Sequence, residues 1–64
     1  MSETCVSEID KAVRHAAQSG EILFVARTAK AIAALCGGSP GQIAEELTHA
    51  GIRAGVTMQF GRPE

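Results

Sequence analysis

Two glycines followed by Ser39 and Pro40 interrupt the chain near its middle, and this feature constrains the fold more than any other. Ser39 suits an N-cap, Pro40 the first helical position and Gln42 the third, so together they predict where a helix begins. Gly37 can adopt the left-handed conformation with which the preceding helix ends. Residues 32–47 are therefore predicted to form two helices joined by a tight turn.

Hydrophobic periodicity and turn residues predict three helices and two strands along the chain. The helices are expected at about residues 4–19, 28–36 and 40–50, and the strands at about 21–26 and 56–60. The unbroken apolar run of the first strand indicates burial on both faces, whereas the alternating second strand is expected to be half-buried. No linker divides the chain, so residues 1–64 are predicted to form a single domain.

Each predicted helix has an apolar stripe and recognisable ends. Gly20 is expected to end the first helix, Thr28 to cap the second and Gly51 to end the third. Leu47 and Ile52 then fall at the positions of the hydrophobic pair in a Schellman ending. The residues expected to be buried are Val6, Ile9, Val13 and Ala16 in the first helix, Ala29, Ile32, Ala33 and Cys36 in the second, and Ile43, Leu47 and Ala50 in the third.

The composition is that of a small globular domain that gains from a partner. Hydrophobic residues make up 45% of the 64 residues, but Phe24 and Phe60 are the only Phe, Tyr or Trp residues. A chain this short buries only about 60% of its unfolded surface, so its stability alone is marginal. A core rich in alanine buries little area per residue, and we therefore expect a homodimer.

The cysteines and the apolar runs bear on the location of the protein. Cys5 and Cys36 are too few and too far apart to indicate a disulfide framework, so free thiols are expected. The first ten residues lack the pattern of a signal peptide, and the longest apolar run, residues 22–26, is far too short to span a membrane. These patterns predict a cytoplasmic protein without a membrane partner.

Ala33, Gly37 and Ile43 lie at the spacing of a small residue, a turn glycine and an apolar residue in the helix-turn-helix family, which residues 32–47 resemble. The order of elements also resembles the winged-helix variant of that family, although only one strand follows the third helix. The resemblance implies an α+β fold: a small three-helix domain whose second and third helices form the helix-turn-helix core, with the two strands in a short antiparallel element.

The same resemblance implies that the third helix enters DNA. In the family, residues near the start of this helix contact base edges, and these correspond to Ser39 and Gln42. Gln42 has the chemistry to read adenine, and Arg27, Lys30 and Arg53 supply nearby positive charge. The expected function is a small regulatory protein that binds DNA, with several of these cations presented by a dimer.

The charge of the chain leaves a second function open. The net charge is −1, whereas DNA-binding domains are usually basic, and Glu45 and Glu46 on the third helix would repel phosphate. The alternative is a non-enzymatic adaptor or inhibitor. It would bind another protein through its acidic third helix, or through the edge of an apolar strand where Phe24 and Phe60 lie.

No residue pattern supports catalysis or a bound cofactor. Cys5, His15, Cys36 and His49 match no short zinc-ligand spacing, and the P-loop and hydrolase motifs are missing. The glycines around Ser39 open a helix whose free N–H groups can bind an anion, but a turn explains them equally well. We therefore expect neither an enzyme, nor a metal site, nor a cofactor.

Overall fold

A computed structural model describes residues 2–60 and shows three packed helices with a minimal sheet. The elements, in chain order, are helix α1 (Glu3–Ser19), strand β1 (Leu23–Phe24), helix α2 (Val25–Cys36), helix α3 (Pro40–Ala54) and strand β2 (Met58–Gln59). The core lies where the three helices meet. Its buried residues are Cys5, Ile9, Val13, Ala16, Leu23, Val25, Ala29, Ile32, Ile43 and Leu47. None of the helices in this part of the chain is long and apolar enough to cross a membrane.

Helix α1 is close to its predicted bounds because both of its ends carry local signals. The Ser2 hydroxyl accepts a hydrogen bond from the Cys5 amide at 3.2 Å, and Gly20 ends the helix at φ 75°. The predicted stripe is wrong at one position, since Val6 is 55% exposed and Cys5 is buried in its place. Cys5, Ile9 and Val13 are spaced four residues apart and therefore lie on one face of the helix, which is the face that packs on the core.

The predicted antiparallel β element is wrong. Strands β1 and β2 do pair, but they run parallel, with Leu23 opposite Met58 and Phe24 opposite Gln59. A parallel pair needs a crossover connection of a dozen residues or more, and the two helices between the strands provide it. With two residues in each strand, the domain is essentially helical, and the described residues contain no antiparallel wing.

The first predicted strand, at residues 21–26, is wrong over most of its length. Only Leu23 and Phe24 are extended, and α2 begins at Val25, three residues before the predicted cap at Thr28. Phe24 occupies the N-cap position without a side-chain hydrogen bond, so no polar residue marks this start in the sequence. Val25 suits a buried helix as well as a strand, which is why the apolar run misled the prediction.

Helix α3 continues four residues past its predicted end at residue 50. A Schellman ending is present, but it forms at Gly55, whose φ is 72°. The Val56 amide donates to the Gly51 carbonyl at 2.9 Å, and the Gly55 amide donates to the Ile52 carbonyl at 3.2 Å. Gly51 is instead a buried helical residue against which Met58 packs, and Ile52 is 65% exposed.

A disulfide joins Cys5 in the first turn of α1 to Cys36 at the end of α2. Their Cα atoms are 5.3 Å apart, and no cysteine is free. The expectation of two free thiols is therefore wrong. The sequence separation of 31 residues carries no information about this contact, which exists only because α1 packs across the end of α2.

Candidate nucleic-acid interface

The three residues that carry the helix-turn-helix resemblance occupy the environments that such a turn requires. Ala33 is half-buried, and its carbonyl accepts a hydrogen bond from the Gly37 amide at 2.8 Å. Gly37 has a φ of 76°, which strongly favours glycine. Ile43 is fully buried and fixes the first turn of α3 on the core. We name residues 25–54 the α2–α3 unit.

Gly38 has a packing role that the sequence analysis missed. A Cβ at this position would lie 3.0 Å from the Cys5 sulfur and 3.1 Å from Cδ1 of Ile43. The turn therefore passes so close to the disulfide and the core that only a glycine fits without movement. The pair of glycines in the sequence was the available signal, but it says nothing about what lies opposite.

The first turn of α3 is open to solvent, as a reading position must be. Ser39 is the N-cap, and its hydroxyl accepts a long hydrogen bond of 3.5 Å from the Gln42 amide. Ser39, Pro40, Gly41 and Gln42 are all exposed. Because Pro40 has no N–H and the Gln42 and Ile43 amides donate to Ser39, the Gly41 amide is the donor left for a phosphate at this helix start, and the exposed Gln42 side chain has the chemistry to contact a base edge.

The three candidate cations do not gather at this turn. Arg27 and Lys30 are exposed in the first half of α2, where the Arg27 guanidinium lies 5.2 Å from the centre of the Phe24 ring. Arg53 is in the last turn of α3, eleven residues after Gln42 and thus about 16 Å further along the helix axis. Arg53 therefore belongs to a different part of the surface.

An open groove of about 450 Å³ runs between the start of α2 and the outer face of α3. The residues that line it are Val25, Ala26, Gly41, Gln42, Ala44, Glu45, Thr48 and Phe60. Arg27 follows Ala26 in the chain but is not among the residues that line the groove, and its guanidinium lies over the Phe24 ring instead.

The two neighbouring carboxylates on α3 face different surroundings. Glu45 lines the groove beside α2, whereas Glu46 lines a depression beside α1. Adjacent helical residues point about 100° apart, which accounts for the separation. The three ion pairs within residues 2–60 are Lys11–Glu8, Arg14–Asp10 and His15–Glu21, so neither Glu45 nor Glu46 is paired there.

The aromatic residues of the alternative interface are also separated. Phe24 is 43% exposed and carries Arg27 over its ring, and Phe60 is 60% exposed and lines the groove beside α2. The strand edge expected to bind a partner is only two residues long. Such an edge offers few backbone hydrogen bonds to an added strand.

A zinc site with cysteine ligands and a cysteine nucleophile would both require free cysteines. Cys5 and Cys36 are bonded to each other, so in this state they are neither thiolate ligands nor nucleophiles. Within residues 2–60, no three His, Cys, Asp or Glu side chains are grouped closely enough to hold a metal ion. Comparison of the chain with protein-family models, curated proteins and solved structures finds no match.

Proposed function

We propose that this chain is a small regulatory protein that binds DNA through the α2–α3 unit as a homodimer. The observation that carries the proposal is the turn at Gly37, which sits in the left-handed conformation between the half-buried Ala33 and the fully buried Ile43. This arrangement leaves the start of α3 exposed while its opposite face is fixed on the core. Helix-turn-helix proteins read DNA with a helix held in this way.

The distribution of charge supports the same surface. Residues 25–42 carry Arg27 and Lys30 and no carboxylate, although the net charge of the whole chain is −1. In the proposed complex, the Ser39 hydroxyl and the Gly41 amide contact phosphate, and the Gln42 side chain contacts a base. Arg27 and Lys30 neutralise the flanking backbone.

The salt dependence of binding has an upper limit set by these cations. A dimer presents four of these cations, two copies each of Arg27 and Lys30, so the logarithm of affinity falls with the logarithm of salt concentration with a slope no steeper than about −4. Fluorescence anisotropy with a random duplex at low salt measures both affinity and slope. Lack of binding at about 20 mM salt, where phosphate attraction is strong, would refute the proposal.

Two lysine variants test whether DNA binds to the α2–α3 unit or to another part of the protein. Lys30→Ala removes a cation of the α2–α3 unit, whereas Lys11→Ala removes one from α1 whose ion pair with Glu8 is exposed and therefore weak. We expect Lys30→Ala to weaken binding and to reduce the salt slope by about 2, because the homodimer loses two cations, and Lys11→Ala to change neither. Equal effects of both variants would mean that the protein binds DNA only through its general charge.

A second candidate function rests on the groove beside α2. Its apolar walls, the exposed Phe60 and the unpaired Glu45 match a protein partner that offers an apolar side chain next to a cation. This is the adaptor or inhibitor alternative, moved from the two-residue strand edge to the acidic side of α3. Glu45→Gln is expected to strengthen DNA binding under the first function and to weaken partner binding under the second.

A cytoplasmic location belongs to the proposal and is testable through the disulfide. Disulfides are rare in the cytosol, where thioredoxin and glutathione keep thiols reduced. The structure holds the bonded form, so a cytoplasmic copy would have to be reduced from this state, with Cys5 and Cys36 as thiols. Alkylation in intact cells, read by mass spectrometry, yields two modified cysteines in that case and none if the protein resides in an oxidising compartment.

A further inference from the structure

Two adjoining depressions form one furrow between α1 and α3. They hold about 160 and 360 Å³, and both are lined by Asp10, Ala50 and Arg53. The first continues to Val6, Ile9 and Glu46, and the second to Val13, Arg14, Ala17 and Ala54. We name this surface the α1–α3 furrow. Neither Ser39 nor Gln42 lines it, so it is separate from the proposed DNA-reading turn.

The floor of the furrow is apolar and low. On the α3 side it is formed by Ala50 and Ala54, whose short side chains let another backbone approach closely. On the α1 side Val6 is 55% exposed, although it lies on a helix whose other apolar residues are mostly buried. Covering an apolar surface of this kind lowers the free energy of the system, because it removes apolar area from water.

Helix α3 contributes two charged residues of opposite sign to the furrow. Glu46 lies seven residues before Arg53 on α3, which separates them by about 10 Å along the helix axis. Neither side chain forms an ion pair within residues 2–60. Asp10 and Arg14, in contrast, bind each other at 2.5 Å. The furrow therefore presents one unpaired negative and one unpaired positive side chain at a fixed spacing.

We propose that the occupant of the α1–α3 furrow is a second copy of this chain, related by a twofold axis near Ala50. A twofold axis reverses the direction of the partner helix, so Glu46 meets Arg53 of the partner subunit and Arg53 meets Glu46 of the partner subunit. The same surface then covers itself, as an isologous interface requires. This inference specifies the dimer of the proposed function, and it does not depend on DNA binding.

Charge reversal at the two positions tests this interface. Glu46→Arg and Arg53→Glu each place like charges opposite one another twice in the dimer, and each is expected to raise the dimer dissociation constant about tenfold or more. The double variant restores opposite charges and is expected to recover dimerisation. Glu45→Arg is the matched control, because it changes the charge of the same helix in the other groove.

Analytical ultracentrifugation of the oxidised full chain without DNA gives the dissociation constants, and circular dichroism confirms that each variant is folded. The proposal is supported if both single variants dissociate, the double variant recovers and the control resembles the wild type. It is overturned if the wild type stays monomeric, if the single variants dimerise normally, or if the folded double variant remains monomeric. DNA binding is measured separately, so failure of either proposal is visible by itself.

Discussion

Breaking the bond between Cys5 and Cys36 is expected to remove a large share of the stability of this domain. The bond closes a loop with a sequence separation of 31 residues. Loss of chain entropy in the unfolded state then stabilises the fold by about 3.7 kcal/mol. A chain of 64 residues has a total free energy of unfolding of roughly 3 to 10 kcal/mol. The reduced domain is therefore expected to be near the limit of independent stability.

Thermal and urea unfolding of the oxidised and reduced wild type measure this contribution without changing the sequence. We expect reduction to lower the melting temperature by about 15–30 °C, since each kcal/mol corresponds to about 4–8 °C in a domain of this size. The Cys5→Ala/Cys36→Ala variant is expected to behave like the reduced protein and to be insensitive to reductant. That insensitivity shows that the reductant acts through this bond.

If the free energies of unfolding of the oxidised and reduced proteins differ by less than about 1 kcal/mol, the bond does not stabilise the fold by the entropic value expected for a loop of this length. Such a result would mean that the unfolded chain already holds the ends of α1 and α2 together. A reduced protein without a cooperative transition would instead place the stabilisation at the upper end of the expected range.

Two further pairs of variants test the packing of the turn. Gly38→Ala is expected to destabilise the fold by about 1–3 kcal/mol because its Cβ would press on Cys5 and Ile43, whereas Gly41→Ala, with only the Ser39 hydroxyl nearby at 3.9 Å, is neutral or slightly stabilising. Urea unfolding measures both, and equal effects would contradict the close approach at Gly38. Ile43→Ala is expected to cost about 2–5 kcal/mol, and Ile52→Ala, at an exposed position of the same helix, less than about 0.5 kcal/mol. A small loss at Ile43 would contradict its place in the core.

Local signals in the sequence predicted the parts of the fold that depend on local chemistry. Ser39 and Pro40 mark the start of α3, Gly37 marks the end of α2, and Gly20 marks the end of α1, each at its observed position. In these cases a single side chain, or its absence, satisfies the backbone groups at a helix end. The open first turn of α3 follows from the same signals.

Contacts between residues that are distant in sequence determine the features of the fold that the local signals did not predict. Gly51 and Gly55 are equally suitable as helix ends, and packing of Met58 against Gly51 keeps the helix going to the second. The Cys5–Cys36 bond depends on how α1 crosses the end of α2, which no local pattern encodes. The direction of the strand pair depends on the path of the whole chain.

At the candidate site, too, local signals predicted some features, and contacts between residues distant in sequence determined the others. Exposure of Ser39 and Gln42 could be predicted from the cap, but the placement of Arg53 beside α1 could not. The sequence shows three cations around one motif, whereas the fold places Arg27 over the Phe24 ring at the start of α2 and Arg53 in the furrow beside α1. The furrow itself appears only when α1 and α3 are packed.

Chemical-shift mapping of the ¹⁵N-labelled, oxidised protein with a short duplex at low salt shows, residue by residue, whether DNA binds to the α2–α3 unit. If the α2–α3 unit is the DNA-binding surface, the largest shifts are expected at the amides of Ser39 and Gln42, with smaller shifts at Arg27 and Lys30. Residues of α1 far from the turn, such as Lys11, are expected to change little. Shifts concentrated on α1, or no shifts at saturating duplex, would contradict DNA binding through the α2–α3 unit.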